Sequence, residues 1–446
     1  MTDAAAAVPP LPTEPSELAP APAPRRKVVA WALYDWAGSS FNAVATTFVF
    51  TRYLTSETFG DPNALSAQLG IALLIAGVLV ALTAPITGQQ SDAGGHRKRL
   101  LAVWTAITAV ALLAMAFVFP DPRFALLGFA ALAIGTISSE LAAVNYYAMI
   151  SQVSTSRNVG RISGFGWGMG YVGGIVQLLI LLFAFINPEL SIGGFSYVQL
   201  SMLVATLWYV VFALPVFFAL GENRVPEVGG VRRTNFFAAY GELFRSIARL
   251  WRSSRNTVWF LLASAIFRDG LTGIFTFGGV IASVSFGFSA QQVIYFAVAA
   301  NVVAGVATLI TGMLDDRFGP RRVILVSLVG LLVSGLLVFF LALNGQGAWV
   351  FWVFGLFLCL FVGPAQSASR SFLARIIPAG HEGEVFGLYA TTGRAATFIA
   401  PGLFSLFVAI GGVQIWGVIG IMIVIAVGLA VMIPVKAQGG RLDLSR

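Results

Sequence analysis

The chain has one cysteine and two histidines among its 446 residues. A single thiol, Cys359, closes no intrachain disulfide, and with only His96 and His381 beside it no Cys/His metal centre can be assembled. No metal site and no cofactor is therefore expected. Charge is scarce as well: Asp, Glu, Lys and Arg make up 10% of the chain, where a soluble domain carries about a quarter. There is no Walker sequence and no catalytic triad, so ATP-driven transport and enzymatic catalysis lack their parts. The opening stretch "MTDAAAAVPPLPTEPSELAPAPAP" has neither a basic start nor an apolar core and reads as a disordered tail over 1–27, not a signal peptide. Alternation over about ten residues, the mark of a membrane β-strand, is missing too.

Apolar sequence is abundant: 58% of residues are hydrophobic, and the mean hydropathy is +0.86. The apolar runs reach about 20 residues, the length a helix needs to cross roughly 30 Å of hydrocarbon. They predict an all-α polytopic membrane protein with twelve transmembrane helices, near 28–54, 65–90, 100–119, 124–150, 160–186, 197–219, 257–284, 290–314, 321–343, 348–374, 384–410 and 413–435. The polar loop 220–256 divides them six and six, giving an N-terminal bundle over 28–219, a C-terminal bundle over 257–435 and a tail over 436–446. Within that loop "FFAAYGELFRSIARLWRSSR" reads as an interfacial amphipathic helix.

The net charge of +8 matters less than where it sits. With the N-terminus inside, one face collects Arg25, Arg26, Lys27, Arg97, Lys98, Arg99, Arg317, Arg321, Arg322 and Arg375, while the other collects Arg52 and Arg123. This asymmetry places both termini in the cytoplasm, with the basic loops against the inner leaflet and no role for nucleic acid. The excess of Arg over Lys and the abundant Ala fit a GC-rich genome, and a bacterial cytoplasmic membrane is the expected location.

The two halves echo each other. "APITGQQSDAGGHRKR" spaces Gly88, Asp92 and Gly95 ahead of Arg97, and "TGMLDDRFGPRR" spaces Gly312, Asp316 and Gly319 identically, with Arg317 and Arg321 in the second copy. Asp35 precedes Phe41 by the interval that separates Asp269 from Phe275, and Gly160/Gly164 matches Gly383/Gly387. Parallel six-helix repeats and this Gly-x-x-x-Asp-x-x-Gly-x-Arg loop resemble the major facilitator superfamily, which implies alternating access about a central site, the loops acting in the conformational switch. The first copy departs from the pattern with Ala93 in place of Arg. "YDWAGSSFNAVATTFVFTRYL", "FGWGMGYVGG" and "QSASRSFLARIIPAGHEGEVFGLYATTGR" further resemble the Atg22-like (UMF1) family over essentially all twelve spans. That resemblance implies release of amino acids as the substrate class; Gly38 and Arg268 stand where the family commonly has Asn.

Six charges fall inside spans: Asp35, Glu140, Arg268, Asp269, Arg370 and Arg394. Facing lipid, each would cost about 2.5–3.5 kcal/mol at a helix centre. Asp35, Glu140, Asp269 and Arg370 lie on the first, fourth, seventh and tenth spans, the helices that line the cavity in the superfamily, and are the candidates for substrate and proton coupling. In this reading Asp35 and Asp269 meet the cationic end of a zwitterion, Arg370 its carboxylate, and Asp35 or Glu140 carries the proton. The competing reading makes the charges partners of one another, with Arg268 and Arg394 as gates and Glu140 packed on Arg370. Tyr34, Trp36, Asn42, Ser138, Asn145, Tyr146 and Gln366 are the candidate lining. The glycines of "GFGWGMGYVGG" predict close helix packing. The function expected is a monomeric, proton-coupled exporter of amino acids or related zwitterions; an organic-anion transporter, or a receptor or scaffold on the same fold, are the alternatives.

Overall fold

The computed structural model describes residues 23–94, 96–155, 157–222, 248, 250–252, 254–288, 290–377 and 382–436. Apart from its connecting turns the described chain is helical, with one isolated bridge between Ile192 and Phe195. The helices are α1 (Arg25–Ser39), α2 (Phe50–Leu54), α3 (Pro62–Gly94), α4 (Arg97–Met115), α5 (Ala125–Ala148), α6 (Val159–Leu181) and α7 (Tyr197–Ala219) in the first half. The second half has α8 (Arg255–Val280), α9 (Ala290–Phe318), α10 (Pro320–Leu343), α11 (Leu356–Ile376), α12 (Glu382–Ala396), α13 (Ile399–Gly411) and α14 (Gly417–Met432). Most of the stretch expected to form an amphipathic helix lies outside the described residues, as do Gly95 and most of the two tails; α1 begins at Arg25, within the stretch expected to be a tail.

Eleven helical segments are each long and apolar enough to cross a membrane among the described residues. The first span of the expected twelve is interrupted. Between α1 and α2 the chain widens into a π-helix over Ser40–Phe48. Thr46 and Thr47 both turn their hydroxyls back onto the Asn42 carbonyl at 2.7 Å, competing with the regular backbone ladder there. The eleventh span is broken as well, into α12 and α13, with Thr397 and Phe398 between them. Large apolar side chains such as Leu126 and Phe218 point outward and fully exposed, as an outer surface solvated by lipid requires.

Within the first half α1 packs on α6 and α7, α3 and α4 on α5. In the second half α8 packs on α14 and α12, and α11 on α9 and α10. The halves meet along α3 with α12, α6 with α9, and α6 with α11. The glycine-rich face of α6 makes the closest approaches. A Cβ on Gly164 would stand 2.7 Å from the Thr308 carbonyl oxygen and 2.8 Å from Gly312 Cα, so α6 and α9 touch backbone to backbone near the end of the bundle where α9 finishes. Gly173 admits Trp36 in the same manner, with Cδ2 at 2.9 Å from the position of a Cβ. Gly319, at φ 85°, and Pro320 at the start of α10 make the sharp turn between α9 and α10.

Candidate functional site

The centre of the molecule is a buried ion pair that joins the halves. Arg370 of α11 is 1% exposed, and its Nη1 donates to Asp35 Oδ2 of α1 at 3.0 Å. Its Nε donates to Ser163 Oγ at 3.0 Å and its Nη2 to the Ser163 carbonyl at 2.6 Å. Burying a guanidinium is costly unless its donors are satisfied; here a carboxylate and both oxygens of one serine do so. Aromatic rings enclose the rest: Trp31 lies 4.7 Å below the guanidinium carbon, with Tyr147, Trp167 and Tyr146 at 5.3, 5.6 and 6.0 Å. Trp31 and Tyr146 stack at 4.8 Å and exchange hydrogen bonds, each ring donating to the other's carbonyl. Gly166 makes the assembly sterically feasible. A Cβ there would lie 2.6 Å from Asp35 Oδ2 and 2.9 Å from Arg370 Nη2.

Asp35 retains 17% exposure, and it borders a cavity of about 100 Å³ lined also by Tyr34, Asn42, Glu140, Tyr146 and Tyr147. Tyr34 is held by its hydroxyl at 2.7 Å from Thr105 Oγ1 and by stacking on Tyr146. On the cavity's other side, Arg394 Nη2 of α12 donates to Glu140 Oε1 of α5, a second ion pair across the halves. The four charges thus pair as Asp35 with Arg370 and Glu140 with Arg394, not Glu140 with Arg370. Arg268 stacks on Tyr389 at 4.0 Å and donates to the Tyr389 carbonyl at 3.3 Å; among the described residues no carboxylate pairs with it.

Asp269 stands apart from Asp35. It is 4% exposed, does not line the cavity, and accepts a hydrogen bond from the Ala400 amide of α13 at 2.6 Å. Trp36 also lies elsewhere, stacked on Trp208 at 5.7 Å. Asn145 and Ser138 are fully buried, their side chains bonded to Leu141 and Thr108. Gln366 is half-buried on α11.

The repeated loops occupy one end of the bundle. Asp316 accepts from the Gly160 and Arg161 amides at 2.7 and 2.9 Å, capping the positive end of α6 from the opposite half. Arg375 binds both members of the acidic doublet, Asp315 at 2.5 Å and Asp316 at 2.9 Å, and Ser371 donates to Asp315. Arg317 lies 5.3 Å from the Phe318 ring. Arg321 donates to the Val435 and Ile433 carbonyls, where α14 leaves its last carbonyls without helical partners. In the first copy Gly88 and Arg97 are buried; the side chain of Asp92 and all of Gly95 lie outside the description. The Lys98 and Arg99 amides at the start of α4 donate instead to Glu222. With α6 and α9 in backbone contact and Asp316 across them, this end is closed.

Sequence reasoning passed over Trp31, Tyr147, Ser163, Trp167, Asp315 and Arg375. Asp315 was visible as the neighbour of Asp316, and Arg375 as a second arginine on the helix of Arg370. Nothing in the pattern marks Ser163, because its contribution is largely a backbone carbonyl.

A family model described as vacuole effluxer Atg22 like matches residues 150–445. An uncharacterized MFS-type transporter, YxiO, of Bacillus subtilis is 24% identical over 411 residues, 90% of this chain and 93% of its own. Autophagy-related protein 22 of Cryptococcus neoformans is 24% identical over 303 residues, 64% of this chain, and the match spans 54% of that longer protein. The fold is shared with the proton:xylose symporter XylE at a TM-score of 0.72 and 13% identity, over 91% of this chain and 94% of that one. With its two six-helix halves joined by ion pairs around a central cavity, the chain belongs to the Atg22-like family and is a membrane transporter of the major facilitator superfamily.

Proposed function

We propose that this transporter moves amino acids or closely related small zwitterions, outward from the cytoplasm and against a proton, as a monomer with both termini inside. One observation carries the reading: the Asp35–Arg370 pair, which links the halves and borders the cavity through Asp35. A zwitterion offers the same two charges as the pair. Its ammonium can replace Arg370 on Asp35 while its carboxylate takes over Arg370, so the pair is dissolved without stranding a buried charge. Substrate binding then loosens the contact that holds the halves together, which is what alternating access requires of a ligand: better binding to the state it selects. Glu140 and Arg394, partly exposed on the cavity's far side, act as the second gate.

The test is the thermal stability of the purified protein against a panel of amino acids, sugars and organic anions. A ligand at about 100 times its dissociation constant should stabilise by roughly 2.7 kcal/mol. An amino acid that stabilises the wild type but neither Asp35→Asn nor Arg370→Gln upholds the zwitterion reading. Stabilisation by anions alone, abolished by Arg268→Gln, moves the assignment to organic anions, the reading favoured by an Arg268 guanidinium that, among the described residues, is held by Tyr389 and by no carboxylate.

A further inference from the structure

The eleventh span breaks near its middle, at Thr397 and Phe398, and the break has no cap of its own. Helix α13 begins after Phe398, which supplies no side-chain hydrogen bond. Its first turn includes Pro401, which has no N–H to satisfy. The Ala400 amide would be left in an apolar setting, at the positive end of a 13-residue helix. Asp269 fills that place from the neighbouring span. It is 96% buried, at 4% exposure, and its Oδ2 lies 2.6 Å from the Ala400 nitrogen. Gly273, one turn further along α8, lets α13 come this close; a Cβ there would sit 3.0 Å from the Ala400 Cβ.

Among the described residues no cationic side chain pairs with this carboxylate. Arg268, its neighbour on α8, turns away to Tyr389. From α12, Tyr389 receives Arg268 and Arg394 is engaged with Glu140. From α11, Arg370 and Arg375 are held by Asp35 and by Asp315 with Asp316, and Cys359 makes no bond to Asp269. Helices α13 and α14 contribute no ionisable side chain. Among the described residues the half-helix N-terminus is therefore the one positive group facing Asp269, and its attraction for the side chain depends on the charge of the carboxylate.

We infer that Asp269 is a proton-binding site whose charge holds the eleventh span in its broken form. The inference rests on the proton-coupled reading above and moves the proton from the ion-paired Asp35 and Glu140 to Asp269. A proton on either oxygen neutralises the group that the α13 terminus attracts and leaves α12 and α13 free to realign. The signal has a short way to travel. The turn at the break is tied to Arg394, whose carbonyl accepts from the Thr397 amide and hydroxyl at 3.3 and 2.9 Å. The bend of the span thus sets where Arg394 points, and Arg394 holds Glu140 of the other half.

Hydrogen exchange of the full-length protein in lipid nanodiscs, with no substrate present, decides the matter. Labelling at pH 8 and pH 5 is corrected for the chemical exchange rate, and peptides covering 397–404 are compared with those covering 385–395. In the wild type the first set is expected to exchange about tenfold faster at pH 5 than at pH 8, the fold-change set by loss of a charge–dipole contact, with the second set unmoved. Asp269→Asn should exchange at the fast rate at both pH values, and Asp269→Glu should restore the difference. Equal protection of the wild type at both pH values, or an unaltered pH response in Asp269→Asn, overturns the inference. A native melting transition for each variant establishes that it is folded. Since no substrate enters the measurement, a wild type that binds no amino acid would overturn the proposed function and leave this result standing.

Discussion

The carboxylate of Asp35 meets a guanidinium from the other half of the molecule, whereas that of Asp269 meets a backbone N–H within its own half. Both acids stand six residues ahead of a phenylalanine, Phe41 or Phe275, near the middle of the first helix of their half. The difference lies in what the repeat did not copy. The second half supplies Arg370 to the first half's acid, and Ser163 and the rings of Trp31, Tyr147 and Trp167 seal it. Among the described residues the first half supplies no arginine to Asp269 in return. Asp269 then finds compensation in the broken eleventh span, whose counterpart in the first half is not broken in this way: α6, the fifth span, runs as one α-helix from Val159 to Leu181. A buried acid paired across the halves must separate when the halves rock; a buried acid paired within one half can stay put and change its charge instead.

The sharpest way to break this comparison is Arg370→Ala. It strands the carboxylate of Asp35 in a site built for a pair, and removing one partner of a buried pair costs about 3–5 kcal/mol. Denaturant unfolding of the purified protein should show that loss, and Asp35→Asn combined with Arg370→Gln should recover part of it. If the double variant is as unstable as the sum of the two single ones, the pair is not the coupled unit described. Gly166→Ala comes next. Its methyl would meet Asp35 Oδ2, Trp31 and Arg370 at 2.6, 2.8 and 2.9 Å, an overpacking of about 1–3 kcal/mol. The corresponding change on the other side of the comparison, Gly273→Ala, meets the Ala400 Cβ at 3.0 Å and Ile421 only at ordinary contact distance, 3.6 Å, and should cost less in the same unfolding measurement.

How much of this was legible without coordinates follows from what hydropathy encodes. A span must be about 20 apolar residues to cross, so the twelve runs stand out, and a charge inside one stands out against it; Asp35, Glu140, Arg268, Asp269, Arg370 and Arg394 were all visible for that reason. Their partners were not, since Asp35 and Arg370 are 335 residues apart and Glu140 and Arg394 are 254 apart, and nothing local records which face of which helix meets another. The helix-capping role of an aspartate in the repeated loop was readable from residue type, but that Asp316 caps α6 of the opposite half required the fold. The break before α13 was the least legible. Its sequence, "TFIAP", contains an ordinary helix-tolerated proline, and the acid that caps it lies 131 residues upstream.

The remaining two predictions separate the roles of the acids by size. Asp269→Ala removes the cap of α13, and losing a helix cap costs about 0.5–2 kcal/mol. The loss should appear as a lower unfolding midpoint, with Asp269→Asn falling between Asp269→Ala and the wild type, because an amide oxygen can still accept from Ala400 but the attraction between charge and helix terminus is gone. Glu140→Gln should be milder still. Glu140 and Arg394 are 34% and 27% exposed, and an ion pair within reach of water contributes about 0–1 kcal/mol. Its variant should therefore melt within a degree or two of the wild type, judged against the several degrees that 1 kcal/mol shifts a small domain. What should change is the balance between states, because the pair bridges α5 and α12 only while the halves are held as they are here. A pair of reporters on these two helices should show a broader distance distribution in Glu140→Gln at an almost unchanged melting temperature. An unchanged distribution would reduce the Glu140–Arg394 contact to a surface decoration of the cavity and leave Asp35–Arg370 as the pair that holds the halves.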